Sequence, residues 1–263
     1  MGIIELIILA IVQGLTEFLP ISSSGHLELV KVVLGYDISS KDSLLLTVVL
    51  HLATVFSTLV VFKKEIKDIF SGLFTTKWNI HADFSLKILL SIIPSTCVGL
   101  FLLDEIEKLF NGNTIFIGSM LILNGIILLV LNKEQYSSKL ISFLDSFFIG
   151  VAQAIAILPG ISRSGLTIST AVVLGNNKRE SAKFSFLMVI PLVLAKGIKD
   201  ISSGQMSFLE ISNIDLAIAF IVSFLTGIIA CRSMIKLVEK SNIKYFSLYC
   251  FSIGTVVVVH DIL

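Results

Sequence analysis

The sequence predicts an all-α polytopic membrane protein with an inverted-topology repeat: six transmembrane helices plus two re-entrant helix-loop-helix hairpins. Three observations carry this reading. The chain of 263 residues is 55% hydrophobic and only 15% charged, whereas a soluble domain stands near a quarter charged. Long apolar runs recur, among them 44–62, 115–131 and 214–230, and two clusters of Pro, Gly and Ser interrupt others, at 19–27 and 158–166. The basic residues are also shared unevenly among the loops. About 20 apolar residues cross a bilayer core, and continuous rather than alternating hydrophobicity selects helices over a barrel.

The first element is a broken stretch over 3–35. An apolar helix runs in, and Pro20 ends it, because proline lacks an N–H and turns Leu19 away from the α region. Ser22, Ser23 and Ser24 offer N-caps to a second helix, which stops at Leu34-Gly35. The outgoing piece, about 23–34, covers roughly 18 Å, too little for a core of about 30 Å. It therefore dips in and returns. Full spans follow at about 43–62, 85–103 and 114–131. The second half has the same plan: a broken stretch at 141–175 with an outgoing piece at 163–174, then spans at about 183–200, 214–231 and 244–261.

A shift of 140 positions lays Gln13 on Gln153, Ile21 on Ile161, Ser22 on Ser162, Ser24 on Ser164 and Gly25 on Gly165. It also lays 32–35 on 172–175, which makes nine identities in the 24 positions from 12 to 35, in one ungapped register. The chain thus reads as one membrane domain over 1–263, with repeat halves 1–131 and 141–263.

Six crossings put the loops near 63–87, 132–140, 176–183 and 232–244 on one side. They hold 14 Lys and Arg, including Lys77 and Lys133, whereas the other side holds five: Lys31, Lys41, Lys108, Lys196 and Lys199. That bias places the first set in the cytoplasm and both chain ends outside. Three crossings per half is an odd number, so the halves run in opposite senses and their hairpins enter from opposite faces. The usual site of such a repeat lies near midplane, where broken helices meet.

A net charge of +1 without a basic run speaks against nucleic acid. Cys97, Cys231 and Cys250 lack motif spacing and read as small core residues. The opening MGIIELIILAIVQG has no basic region and carries Glu5, so no cleaved signal peptide is expected.

The breaks carry the chemistry. Non-helical backbone at membrane depth has to be satisfied by protein or by a wet cavity. Gly25 permits close approach, and each outgoing helix turns its positive end and unpaired N–H groups to the break, which favours an anion. The second break, Leu158-Pro-Gly-Ile-Ser-Arg-Ser-Gly-Leu166, adds Arg163, whose planar fork suits a phosphate or pyrophosphate. A mid-segment charge is costly unless paired or hydrated, so Arg163 either binds ligand or forms a structural salt bridge to Glu17. Glu17 lies one turn after Gln13 on the same face and suits a general base, a cation ligand or a partner for Arg163. His26, three residues after Ser23, could relay a proton, stabilise a phosphoryl oxygen or attack phosphorus. Thr167 either shares the face of Arg163 or bonds back to its own helix. His51 either lines the cavity or packs helices, Gln153 bridges helices, and Glu28 with Lys31 reads as a solvated helix end. The expected substrate-binding set is Gln13, Ser22, Ser24, Gly25, Ser162, Ser164, Gly165 and Thr167.

Together, Gln13-Gly-Leu-Thr-Glu17-Phe-Leu-Pro-Ile-Ser-Ser-Ser-Gly-His26 and Pro159-Gly-Ile-Ser-Arg163-Ser-Gly-Leu-Thr167 resemble the undecaprenyl-diphosphate phosphatase family of bacterial membrane enzymes, also known as bacitracin-resistance proteins. The likeness covers essentially the whole chain in length and span pattern. It implies hydrolysis of a C55 polyprenyl diphosphate to the monophosphate carrier and inorganic phosphate, recycling the carrier for wall synthesis. It implies a site facing outward from the bacterial plasma membrane and a divalent cation, Mg2+ or Ca2+. Its essential glutamate matches Glu17, its serine Ser23 with Ser22 beside it, its histidine His26 and its arginine Arg163. Position 13 is glutamate in some members and glutamine here, which leaves Glu17 and the substrate's own phosphates to hold the ion. Ser23 is the first choice of nucleophile, with His26 or Glu17 taking its proton, and attack by water or His26 stays open. The partners expected are the lipid substrate and membrane lipids, and a homodimer stays open. The rival class is a flippase or transporter of an anionic lipid or solute, which also uses inverted repeats with broken helices. Ser, His and Glu crowded on one tip favour chemistry.

Overall fold

A computed structural model describes residues 2–35, 41–75, 78–102, 105–106, 113–130, 137–202, 211–240 and 243–262. Among these the fold is all-helical: α1 (Ile3–Thr16), α2 (Ser23–Val33), α3 (Lys41–Val61), α4 (Lys63–Leu73), α5 (Ile80–Phe101), α6 (Thr114–Val130), α7 (Phe143–Ile155), α8 (Arg163–Val173), α9 (Lys178–Ser202), α10 (Asn213–Glu239) and α11 (Lys244–Ile262). Five of them, α3, α5, α9, α10 and α11, are long and apolar enough to cross a membrane. α6 has the same character in 17 residues. The chain is a multi-pass membrane protein. Lys77, Lys108 and Lys133, used above in the loop-charge comparison, lie outside the described residues.

Both breaks fall where Pro, Gly and Ser stand in the sequence. α1 buries Leu6, Leu9, Ala10 and Gln13 on one face, the spacing of an amphipathic stripe, and packs along α10. Its chain turns at Glu17–Ile21, and Ser22 caps α2 by accepting from Gly25 N at 3.3 Å. At the second break Ser162 caps α8 by accepting from Gly165 N at 3.1 Å. α7 packs along α5, α6 against α11, and α3 against both α9 and α10. A single apolar cluster joins residues far apart in sequence, among them Phe18, Ile21, Leu128, Ile168, Phe186 and Met234. The rings of Phe18 and Phe186 meet edge to face at 5.4 Å.

Three expectations need correction. Residues 63–73 form a helix rather than loop: Ile66 and Ile69 pack against the core cluster, while Lys63, Lys64 and Lys67 lie on its outer side. The charges had masked that periodicity. Glu28 and Lys31 are not a solvated end but a buried ion pair at 2.8 Å, because α2 folds back against α1 and α6. Cys231 and Cys250 are buried as expected, but Cys97 is exposed on α5.

Gly150 of α7 shows how closely its helix meets α5. A Cβ there would stand 2.3 Å from the Ser91 carbonyl oxygen, part of the backbone and unable to swing aside. Overpacking of this kind costs about 1–3 kcal/mol or more. Gly150→Leu should therefore lower the thermal midpoint in detergent by roughly 5 °C or more, as read by thermal unfolding of purified protein.

Candidate active site

The two breaks touch each other. A Cβ on Gly25 would lie 3.2 Å from Gly160 Cα, and one on Gly165 would lie 2.9 Å from Pro20 Cβ. Gly160 itself has φ +91 and faces α6, where Ile117 O would be 2.8 Å from a Cβ. That combination of positive φ and close backbone admits only glycine. The Leu19 carbonyl accepts from Ser164 Oγ at 3.2 Å and Ser162 Oγ at 3.5 Å. Asn124 of α6 spans both breaks: its Nδ2 donates to Pro20 O at 3.0 Å, and its Oδ1 accepts from Ser162 N at 2.9 Å. Asn124 went unnoticed in the sequence, although a lone amide inside an apolar run was the available signal.

At this junction Glu17 and Arg163 meet. Arg163 Nη2 donates to Glu17 Oε1 at 2.6 Å, and its Nη1 donates to Ser185 O at 3.3 Å. The other carboxylate oxygen, Oε2, accepts from Ser23 Oγ at 2.7 Å and from Gln13 Nε2 at 3.0 Å. The side chains of Glu17 and Arg163 are only 9% and 15% exposed, so both charges sit in a weakly screened site. His51 Nδ1 donates to Thr47 O at 2.8 Å, which directs Nε2 toward Glu17 Oε2 at 3.8 Å. Of its two readings, His51 takes the cavity-lining one.

Glu17, Ser23, Arg163 and His51 line a cavity of about 480 Å³, shared with Ser24 and Ser162, whereas Gln13, expected to bind substrate, is buried and does not line it. The remaining lining is largely apolar, from α5 and α9, with Lys196 and Lys199 at the far end. The arrangement offers a hydroxyl bonded to a carboxylate, a guanidinium, and two helix starts beside a space for a small anionic group.

The structure does not gather every expected residue here. His26 does not line the cavity. Its Nδ1 donates to Ser22 O at 2.8 Å, and Nε2 accepts from Tyr249 Oη at 2.9 Å, with the two rings stacked 5.6 Å apart. A ring held at both nitrogens faces α11, away from Ser23 on the preceding turn. Thr167 makes the back-bond to Arg163 O at 2.8 Å and contacts Ser185 Oγ at 2.6 Å. Ser22, with φ 70, Gly25, Ser164 and Gly165 shape and cap the breaks from behind the lining. Gln153 bridges to Ser95 Oγ at 2.9 Å.

The donor set fits a divalent cation carried in with a phosphate. Glu17 supplies one carboxylate, and buried Gln13 Oε1 has no hydrogen-bond partner. Among the described residues no group of three or more His, Cys, Asp and Glu forms a cage. Mg2+ is commonly held by one or two protein oxygens plus substrate phosphates.

The family model described as bacitracin resistance protein BacA matches residues 6–256. An undecaprenyl-diphosphatase of Christiangramia forsetii is 51% identical over 98% of this chain and 98% of its own length. One of Bacteroides fragilis is 43% identical over 97% of each. One of Methanococcus vannielii is 38% identical over 94% of this chain and 96% of its own.

Removing one member of a buried ion pair strands the other and costs about 3–5 kcal/mol, whereas replacing both by apolar groups is often neutral. Glu17→Leu should lower thermal stability clearly. The double substitution Glu17→Leu with Arg163→Met should regain most of the loss while remaining inactive, as a thermal-unfolding double-mutant cycle would show.

Proposed function

The chain belongs to the bacitracin resistance protein BacA family, and we propose on that premise that it hydrolyses undecaprenyl diphosphate to undecaprenyl phosphate and inorganic phosphate. Its product is the lipid carrier returned to cell-wall synthesis, and the activity confers bacitracin resistance. The observation that carries the mechanism is the short chain of contacts from Ser23 Oγ through Glu17 to Arg163.

The terminal phosphate displaces Glu17 from the Arg163 guanidinium, whose two parallel donors match phosphate oxygens. Glu17 is thereby released as a base beside Ser23. Ser23 Oγ attacks the terminal phosphorus, its proton passes to Glu17 Oε2, and the bond to the bridging oxygen breaks. Undecaprenyl phosphate leaves with that oxygen. The proton held by Glu17 leaves with undecaprenyl phosphate; water then attacks the phosphoserine and gives one proton to Glu17, the bond from phosphorus to Ser23 Oγ breaks, that proton returns to Ser23 Oγ, and inorganic phosphate departs with the water oxygen. Arg163 and the N-termini of α2 and α8 stabilise the charge that spreads over the transferring oxygens. Glu17, Gln13 Oε1 and the substrate's phosphates would hold Mg2+ or Ca2+, which when bound neutralises phosphate oxygens and eases departure of the lipid phosphate. His26 acts from behind, fixing the start of α2 through Ser22.

The membrane setting follows the sequence reading. α6 is the sixth crossing, α1–α2 and α7–α8 are re-entrant hairpins, and the halves 1–131 and 141–263 are inverted copies. Two features support this. α7 and α8 begin in the same sequence register as α1 and α2, and the pairing of α1 with α10 is matched by that of α7 with α5. The basic loops lie at the N-terminal ends of α5 and α9. The cavity lies along the C-terminal halves of those helices, which supports an outward-facing site in the bacterial plasma membrane. Each active-site residue comes from one chain, so a homodimer would join two complete sites.

Purified protein in detergent should release phosphate from a polyprenyl diphosphate, and a chelator should suppress that release by about tenfold or more. Lipid transport without phosphate release would favour the carrier class instead. Ser23→Ala should cut phosphate release by about 10²-fold or more while still binding substrate, and near-normal turnover would hand the attack to water.

A further inference from the structure

The cavity is walled in part by α5 and α9, and its lining on α5 includes the exposed Leu100. The two helices are joined near their N-terminal ends, where Phe84 meets Phe184 edge to face at 5.6 Å and Lys183 Nζ lies 5.3 Å from the Phe84 ring centre. Farther along, Pro94 and Pro191 interrupt the two helices, and proline bends a helix by removing a ladder bond. Beyond the prolines, Thr96, Gly99 and Leu100 on one side and Leu192, Val193 and Ala195 on the other line the cavity.

The coverage of α5 changes along its length. At Ser91 it is pressed against Gly150, but a Cβ on Gly99 would meet nothing within 4 Å. Only 11% of the apolar window of α5 is buried, against 50% for α9. The cavity wall on α5 therefore runs into the outer face of that helix, and both are apolar.

We propose that the isoprenoid chain of the substrate leaves the cavity between α5 and α9, with Gly99 as the sill. The proposal rests on the hydrolase reading above and gives that site its second half. A cavity of about 480 Å³ accommodates a headgroup and the first isoprene units, since pockets of roughly 300–1,000 Å³ hold ligands of drug size. A C55 chain is far longer, and its remainder belongs in lipid. The outlet has to be largely apolar and continuous with the phosphate end, and Gly99, Leu100, Leu192, Val193 and Ala195 of α5 and α9 line the same cavity as Glu17 and Arg163. Lys196 and Lys199 stand at the cavity's far end on α9, where long basic side chains reach toward a membrane interface and draw an anionic headgroup inward.

A cysteine introduced at the sill tests this within one folded protein. In a Cys97→Ala background, which removes the exposed native thiol, Gly99→Cys is labelled with a bulky maleimide. Phosphate release is measured before and after, with C55 and C15 polyprenyl diphosphates. Labelling should lower kcat/KM for C55 relative to C15 by about tenfold or more, because the short chain needs little or none of the outlet. An unchanged ratio after complete labelling overturns the proposal, as does an introduced thiol that resists labelling in folded, active protein. If the wild-type protein releases phosphate from neither lipid, the hydrolase reading itself fails and takes this proposal with it.

Discussion

A polypeptide that breaks its helices at membrane depth must find partners there for the exposed backbone. In this protein the two breaks supply much of what the other lacks. After α1 the Leu19 carbonyl accepts from Ile21 N at 2.8 Å within its own break, and the Pro20 carbonyl turns toward α6. Ser162 and Ser164 from the second break bond to the first of these, and Asn124 bonds to the second while holding Ser162 N. Ser22 and Ser162 cap their own helices. An orphaned buried polar group costs about 1–3 kcal/mol, so the Asn124 bridge and the serine bonds to Leu19 O tie the stability of the two breaks together. The site forms where the two breaks meet against Asn124 of α6.

The Glu17–Arg163 pair follows from the same meeting. Glu17 stands where α1 has ended, and Arg163 is the first residue of α8. Closing the breaks together brings the two charges to 2.6 Å and removes most water from around them. Each charge makes the other tolerable at that depth, and a phosphate can exchange for Glu17 at Arg163 without leaving either charge unpartnered. Of the two alternatives that the sequence left for Arg163, the structure shows the salt bridge to Glu17, and under the proposed mechanism that same contact gives way to phosphate.

Local chemistry made the breaks legible. Pro20, the capping serines and the glycines act within a few residues, and apolar length marks the spans, so the limits of α1, α2, α7 and α8 followed closely, whereas α5 and α9 start five residues before the expected spans and α10 runs on to Glu239, past the expected end at 231. Glu17, Ser23 and Arg163 were legible because charge and hydroxyl are expensive inside apolar stretches. What could not be read was rotation. His26 and Ser23 differ by three positions, yet one ring turns to Tyr249 and the other side chain to Glu17. Nothing local says that α11 waits beside α2. Asn124 was missed for the same reason, and His51 stood between cavity lining and helix packing, since their value comes from what distant elements place opposite them.

The two breaks resemble each other in backbone but not in chemistry. Positions separated by 140 residues pair Ser23 with Arg163, Glu17 with Ile157 and His26 with Leu166. Ser23, Arg163, Glu17 and Ile157 all line the cavity. A second carboxylate at 157 would face the first across a weakly screened space, where two such groups resist joint ionisation, and one guanidinium could not neutralise both. Ile157 avoids that conflict and also makes its flank of the cavity apolar. Divergence between similar frames therefore makes the flank at Glu17, Ser23 and Arg163 polar and the flank at Ile157 apolar. That polarity suits a molecule with a diphosphate at one end and an isoprenoid chain at the other, which a symmetric pair of tips would receive poorly.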